Sequence, residues 1–240
     1  MRALVIQHDP QSVPERVGEL LERRGVALDP FVVVEDGSDP EVTAVFPDTG
    51  HDLVVLMGSP WSVYDPRAQG WVTPELDFIR RRARAGVPML GICFGAQAMA
   101  AALGGSVARS ARPEFGWGGV GSLVGSIAEE PWFQFHHDEI SPPGAAVELA
   151  RNPSGTQAFR LGRSLGVQFH PEMTARLLAS WYPAGAADAL VEAGVDPDRL
   201  LEESAARAAE SQPALERMLD WFLGRVVGDA GADHTISGAG

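Results

Sequence analysis

The chain contains no lysine: all nineteen of its basic residues are arginine. Without a side-chain amine it can form no Schiff base with a carbonyl substrate, and it cannot build a P-loop phosphate site, which needs a lysine. Cysteine is nearly absent too. With one in 240 residues an internal disulfide is excluded, and a reducing, cytoplasmic setting is expected, one that would also keep a catalytic thiol usable. No apolar run approaches the roughly 20 residues of a membrane-spanning helix. The amino terminus runs directly into an apolar strand at 3–6 without a secretory pattern. Positive charge is in the minority, and the net charge of −13 disfavours nucleic acid or an anionic membrane as the main partner. The one basic cluster, Arg80, Arg81, Arg82 and Arg84, falls at the end of a helix expected over 74–85. Cations there complement the negative end of the helix dipole, so a solvated face is favoured over a docking patch.

What is present centres on residues 87–105, VPMLGICFGAQAMAAALGG. Residues 87–92 form a short apolar run suited to a strand buried on both faces, and 94–103 read as a helix stopped by Gly104 and Gly105. Cys93 stands at the junction. Gly91 and Gly95 flank it as glycines flank the serine of a nucleophile elbow, where missing side chains let strand and helix pack closely around a strained nucleophile. At the first turn of a helix, free N–H groups and the positive dipole end favour the thiolate. A lone cysteine on an apolar segment is usually a small buried hydrophobe. The elbow spacing argues against that here.

A second motif strengthens the case. In LGVQFHPE, 165–172, an apolar strand is followed at once by His170, Pro171 and Glu172. On an extended segment, positions i and i+2 point the same way, so Glu172 can hold one imidazole nitrogen while the other faces outward. A base oriented by a carboxylate is what a thiol nucleophile requires. Both motifs lie at the carboxyl ends of expected parallel strands, where open α/β sheets carry their sites.

Strands are expected at 3–6, 31–34 and 53–56, with a helix over 13–24. Short apolar runs over 106–168, separated by Gly, Pro and Asn, predict a meander of strands built onto the sheet. Helices are expected over 173–181, 196–210 and 213–227, and 228–240 as a flexible tail. His136, His137 and Asp138 invite a metal reading, but neighbouring histidines on a strand point to opposite faces and cannot share an ion. His8 and Asp9 follow the first strand and so share its sheet edge, as support for the site or as plain turn residues. Trp61, Tyr64 and Trp117 are candidates for a rim.

GICFGAQ around Cys93 and GVQFHPE around His170 together resemble the paired signatures of the class I glutamine amidotransferases. LVVLMGSPWSVYD at 53–65 is similar to that family's oxyanion loop. PEFGW at 113–117, FQFHHDE at 133–139 and TQAFRLG at 156–162 are similar to the stand-alone branch related to the amidotransferase domain of GMP synthase. The resemblance implies a flavodoxin-like three-layer α/β sandwich with a mostly parallel sheet, in one domain over 1–227. It implies a Cys93, His170, Glu172 triad that cleaves the glutamine side-chain amide through a γ-glutamyl thioester, with no metal or cofactor. Gly58, Ser59 and Phe94 would supply the backbone oxyanion hole, although the family's commoner glycine is replaced by Ser59, which resists a positive φ. Gln97, Phe135 and His136 would contact the substrate, the last two through backbone in a loop lining the pocket. The family usually passes ammonia to a synthetase, and this chain has no nucleotide-binding glycine loop of P-loop or dinucleotide type; one reading is therefore a glutaminase subunit that feeds a separate synthetase. The alternatives are a free-standing hydrolase of γ-glutamyl amides or peptides, and a non-catalytic binding or regulatory protein on the same fold.

Overall fold

The computed structural model describes residues 1–47, 50–123, 127 and 131–228. Except for Gly228, the expected tail lies outside these. The elements run β1 (Arg2–Gln7), α1 (Glu15–Arg23), β2 (Ala27–Val32), β3 (Leu53–Leu56), α2 (Gln69–Arg84), β4 (Met89–Ile92), α3 (Phe94–Ala102), β5 (Ser106–Gly118), β6 (Gly121–Ser122), β7 (Trp132–Ser141), β8 (Val147–Asn152), β9 (Gly155–Leu161), β10 (Ser164–Val167), α4 (Ala175–Trp181), α5 (Ala186–Glu192), α6 (Pro197–Glu210) and α7 (Gln212–Trp221). An eight-stranded sheet has the order β2-β1-β3-β4-β10-β9-β8-β6. Its first five strands are mutually parallel, and β9, β8 and β6 continue it antiparallel.

The alternation of strand side chains builds three layers. Ala3, Val5, Leu53, Val55, Leu90 and Ile92 point to one face and bury against Val17, Leu20 and Leu21 of α1 and Leu215, Met218 and Leu219 of α7. Leu4, Ile6, Val54, Leu56 and Met89 point to the other and bury against Trp71, Val72, Phe78 and Ile79 of α2 and Met99 of α3. Each Val, Leu, Ile, Met or Phe among them contributes about 1.5–3 kcal/mol when fully buried. This is the three-layer sandwich expected from the resemblance.

Three expectations are corrected. The second strand is Ala27–Val32, not 31–34, because pairing with β1 along its whole length recruits Ala27 to Pro30. Pro30 is tolerated because β2 is the sheet edge. Helix α2 starts at Gln69, ahead of Pro74, because Trp71 and Val72 are fully buried by continuing it toward the amino end. Within the expected meander, β5 and β7 leave the main sheet and pair with each other, antiparallel, over a smaller core of Phe133, Met173, Leu177, Leu178, Leu190 and Leu200. Helix α5 was not expected from the sequence; it buries only Leu190 and so lacks an apolar stripe.

Candidate active site

Strands β4 and β10 are parallel neighbours, with Ile92 opposite Val167. The sheet therefore delivers Cys93 and the 168–172 turn to one place. The Cys93 N–H donates to the Val167 carbonyl at 2.8 Å, tying the elbow to the strand that carries the histidine. Cys93 holds φ 50° and ψ −107°, a strained conformation for a residue with a side chain. The flanking glycines make that turn possible. A Cβ on Gly95 would lie 2.2 Å from the Leu56 carbonyl oxygen, and one on Gly91 2.6 Å from the Met99 sulfur. Neither position has room for a side chain.

His170 donates its own N–H to Phe133 at 2.8 Å, and its Nδ1 lies 2.8 Å from Glu172 Oε1. The expected contact forms, but across a turn after β10 rather than along an extended segment, since residues 171 and 172 are turn residues. Cys93, His170 and Glu172 are 5%, 4% and 1% exposed. Nε2 of His170 is buried with no conventional hydrogen-bond partner. Burial opposes the charged ring, but the Glu172 carboxylate and the Cys93 sulfur outweigh it and push the imidazole pKa up to about 10. The imidazolium is thus the favoured form beside the sulfur. Trp181 closes over the ring edge to face, with centroids 5.3 Å apart.

Gly58 follows β3 and borders both groups. A Cβ there would meet His170 Cε1 at 3.1 Å and the Cys93 Cβ at 3.9 Å. The glycine is needed for space rather than for its backbone freedom. Ser59 has no positive φ, since Glu15 and Cys93 are the described non-glycine residues that do. The replacement of glycine by serine is accommodated, and Ser59 Oγ accepts the Trp61 N–H at 3.1 Å. The Gly95 N–H donates to Met57, bringing the start of α3 against this loop.

Gln97 does not stand free in the pocket. Its side chain is buried and donates to Gln168 Oε1 at 3.3 Å, and Gln168 Nε2 in turn reaches the Cys93 sulfur at 3.6 Å. Phe135 and His136 lie within β7 rather than in a loop. Phe135 packs against Phe115, Phe133 and Trp181. The His136 ring turns into a buried polar cluster, with Nε2 3.2 Å from Gln134 and 3.3 Å from Glu114. Glu114 also accepts from Asn152 at 2.7 Å and Gln157 at 2.9 Å. His137 points the other way, onto Phe115. Among the described residues no group of three or more His, Cys, Asp or Glu could hold a metal ion.

Asp9 is a turn residue, accepting from Gln11 and Ser12. His8 is not: wholly buried, it bonds Gly58 and Glu75. Tyr64 and Ser62 both donate to Asp138, at 2.5 and 2.6 Å, fastening the loop after β3 to β7. Trp117 donates to Ser204 of α6 at 2.9 Å, a structural contact, and Trp61 packs on Trp71. Arg16 of α1 lies behind Glu172. Its guanidinium donates to the Ala208 carbonyl and to Ser211, and burial lowers its pKa to about 10 against the pull of Glu172.

Sequence reasoning overlooked Gln168, Glu75 and Arg16. Two of them carry a signal in the chain. Gln168 is the polar residue directly after the apolar run Leu165, Gly166 and Val167 of β10. Glu75 is the one acid on the buried stripe of α2, between Trp71, Val72, Phe78 and Ile79.

The class I glutamine amidotransferase family model matches residues 15–182, well over half of the chain, which therefore belongs to that family. A glutamine-hydrolyzing GMP synthase of Thermus thermophilus is 36% identical over 165 residues, 64% of this chain and 31% of that protein. The corresponding protein of Aeropyrum pernix is 40% identical over 129 residues, 50% of this chain and 24% of its own length. The chain thus spans under a third of the length of these relatives. A solved glutamine amidotransferase of Thermotoga maritima covers 95% of the chain and 98% of its own, with TM-score 0.79 and 26% identity. One from Methylobacillus flagellatus has TM-score 0.78 at 22% identity, covering 98% of both chains, a likeness of fold alone.

Proposed function

We propose that the chain hydrolyses the γ-carboxamide of glutamine, or of a related γ-glutamyl compound, through a thioester on Cys93. The observation that carries this is a strained cysteine at a helix amino terminus beside an imidazole held by a buried carboxylate. The Cys93 thiolate attacks the amide carbon, and the tetrahedral oxyanion is received by the backbone N–H groups of Ser59 and Phe94. The imidazolium of His170 gives its proton to the departing nitrogen, so ammonia leaves and the thioester forms. His170 then takes a proton from water, which attacks the thioester and releases glutamate and the thiolate. Glu172 fixes the tautomer throughout. The amide of Gln168 supports the charge on sulfur, and Gln97 holds Gln168 in place. The substrate's amino-acid end lies along β7 at Phe135 and His136. Every group required belongs to the protein.

A diazo-ketone analogue of glutamine tests the proposal. Intact mass should show a single adduct on Cys93, slowed by excess glutamine, and Cys93→Ala should abolish both adduct and turnover. An adduct that neither glutamine nor γ-glutamyl compounds slow would refute the γ-glutamyl specificity. The ammonia is handed on to a synthetase, a reading supported by the likeness of this chain to glutamine-hydrolyzing GMP synthases. Co-purification of an ATP-dependent ligase from the source cell is the expected result, and its absence would leave a free-standing hydrolase.

A further inference from the structure

Directly behind the oxyanion loop lies a second histidine–carboxylate pair that takes no part in the proposed chemistry. His8 and Glu75 both have wholly buried side chains. His8 Nδ1 is 2.8 Å from the Gly58 carbonyl oxygen, and Nε2 is 3.1 Å from each Glu75 oxygen. A carbonyl oxygen can only accept. The carboxylate also accepts unless it carries a proton of its own. A neutral imidazole has one N–H and cannot serve two acceptors, so the pair retains one extra proton, on His8 or on Glu75. Burial works against a charged ring, but Glu75 outweighs it and the net displacement of the His8 pKa is upward, which favours the ring as the carrier. Such a buried pair is costly to desolvate, and apolar residues of the same volume would commonly do as well for stability.

Its placement supplies the reason. The Gly58 carbonyl and the Ser59 N–H belong to one peptide unit, and no cis bond occurs among the described residues. In a planar trans peptide the two point in opposite directions. With the carbonyl turned inward to His8, the N–H leaves on the opposite side of a loop whose Gly58 Cα borders His170 and Cys93. The same imidazole packs edge to face against Phe94, with centroids 4.5 Å apart, and Phe94 carries the other N–H of the hole. One buried ring therefore registers both donors.

We infer that His8 and Glu75 are positioning residues: they lock the Gly58–Ser59 peptide with its carbonyl inward, and so hold the Ser59 N–H where the oxyanion of the thioester reaction develops. The inference rests on the reaction proposed above. His8→Leu removes the donor. Its kcat for glutamine should fall by about 10² to 10³, the usual effect of losing one oxyanion donor, with KM within about threefold of the wild type because ground-state binding is untouched. Alkylation of Cys93 by iodoacetamide needs the thiolate but no oxyanion donor, so it should proceed at the wild-type rate. His8→Asn places an amide N–H where Nδ1 stood and should restore most of the lost kcat, which a purely packing role for the ring would not predict.

Wild-type kcat in His8→Leu, or no difference between the Asn and Leu variants, overturns the inference. So does a parallel fall in alkylation, which would place the damage in the triad. Nitrogen-15 spectra of the wild-type histidine rings provide a reading independent of turnover, and one that survives if His8→Leu fails to fold. A His8 Nδ1–H in slow exchange with solvent upholds the clamp, and its absence overturns it. A wild-type protein that neither hydrolyses γ-glutamyl amides nor captures the diazo-ketone sinks the proposed reaction instead, and the ring spectrum then judges the clamp alone.

Discussion

Glu172→Gln is the substitution for which the structure gives the clearest magnitude. The His170 pKa is raised from an ordinary 6.5 to about 10, after a burial cost that acts in the other direction, and Glu172 leads the groups that raise it, ahead of Cys93. That rise corresponds to about 5 kcal/mol of preference for the imidazolium. Neutralising Glu172 removes the leading group that raises the His170 pKa and so weakens the imidazolium as a proton donor. Loss of tautomer control adds to this, because a glutamine amide can present N–H rather than oxygen to Nδ1, so the expected fall in kcat is about 10² to 10⁴. His170→Ala, which removes the base itself, should fall further still. The sign of the pH effect is fixed by the same shift. In the wild type the imidazolium is present below about pH 10 and is lost as pH rises through it. Without the carboxylate it is lost at lower pH, so the alkaline limb of kcat/KM for glutamine should move toward neutrality. The assay is ammonia release from glutamine between pH 6 and 10.5, with both variants beside the wild type. An alkaline limb that stays in place, or equal and complete loss in the two variants, would refute the division of labour between Glu172 and His170.

Further substitutions test other parts of the structure. With the Cβ of Gly95→Ala lying 2.2 Å from the Leu56 carbonyl, overpacking should cost about 2–4 kcal/mol in urea denaturation, whereas Gly144→Ala, with nothing within 4 Å, should stay within about 0.5 kcal/mol. At Cys93, where φ is 50°, a glycine variant should be more stable than the alanine variant by about 1 kcal/mol through relief of strain; equal midpoints would show that the elbow is unstrained. Partial burial raises the Glu114 pKa, but His136 and Asn152 more than offset this and hold it below the ordinary 4.5. A depressed carboxyl contributes stability that is present above the unfolded value and lost as pH falls through the folded one. Glu114→Gln should therefore flatten the fall in stability below pH 4.5, and an unchanged acid limb in thermal melts would refute the coupling.

The parts of this fold that could be read from sequence are those where local pattern and burial coincide. Leu53–Leu56 and Met89–Ile92 are apolar on both faces because both faces are covered, and a run of four buried residues announces itself. Strand β2 was misplaced because an edge strand is only half buried and gives a weak pattern. The separation of β5 and β7 from the main sheet had no local signal, because it depends on which partner each strand finds. The same division runs through the site. The Cys93 elbow was legible because its glycine requirement is local, and His170 with Glu172 because the pair sits within three residues. The groups that tune them come from far along the chain: His8 bonds Gly58 across 50 positions and Glu75 across 67, and Gln168 reaches Cys93 across 75. Arg16 is 192 positions from the carbonyl it donates to. A single sequence identifies such residues only when one is chemically out of place, as Glu75 is on an apolar stripe. The Cys93 turn and the His170–Glu172 contact could thus be read locally, whereas the residues packed against them became visible only once the sheet had brought the strand ends together.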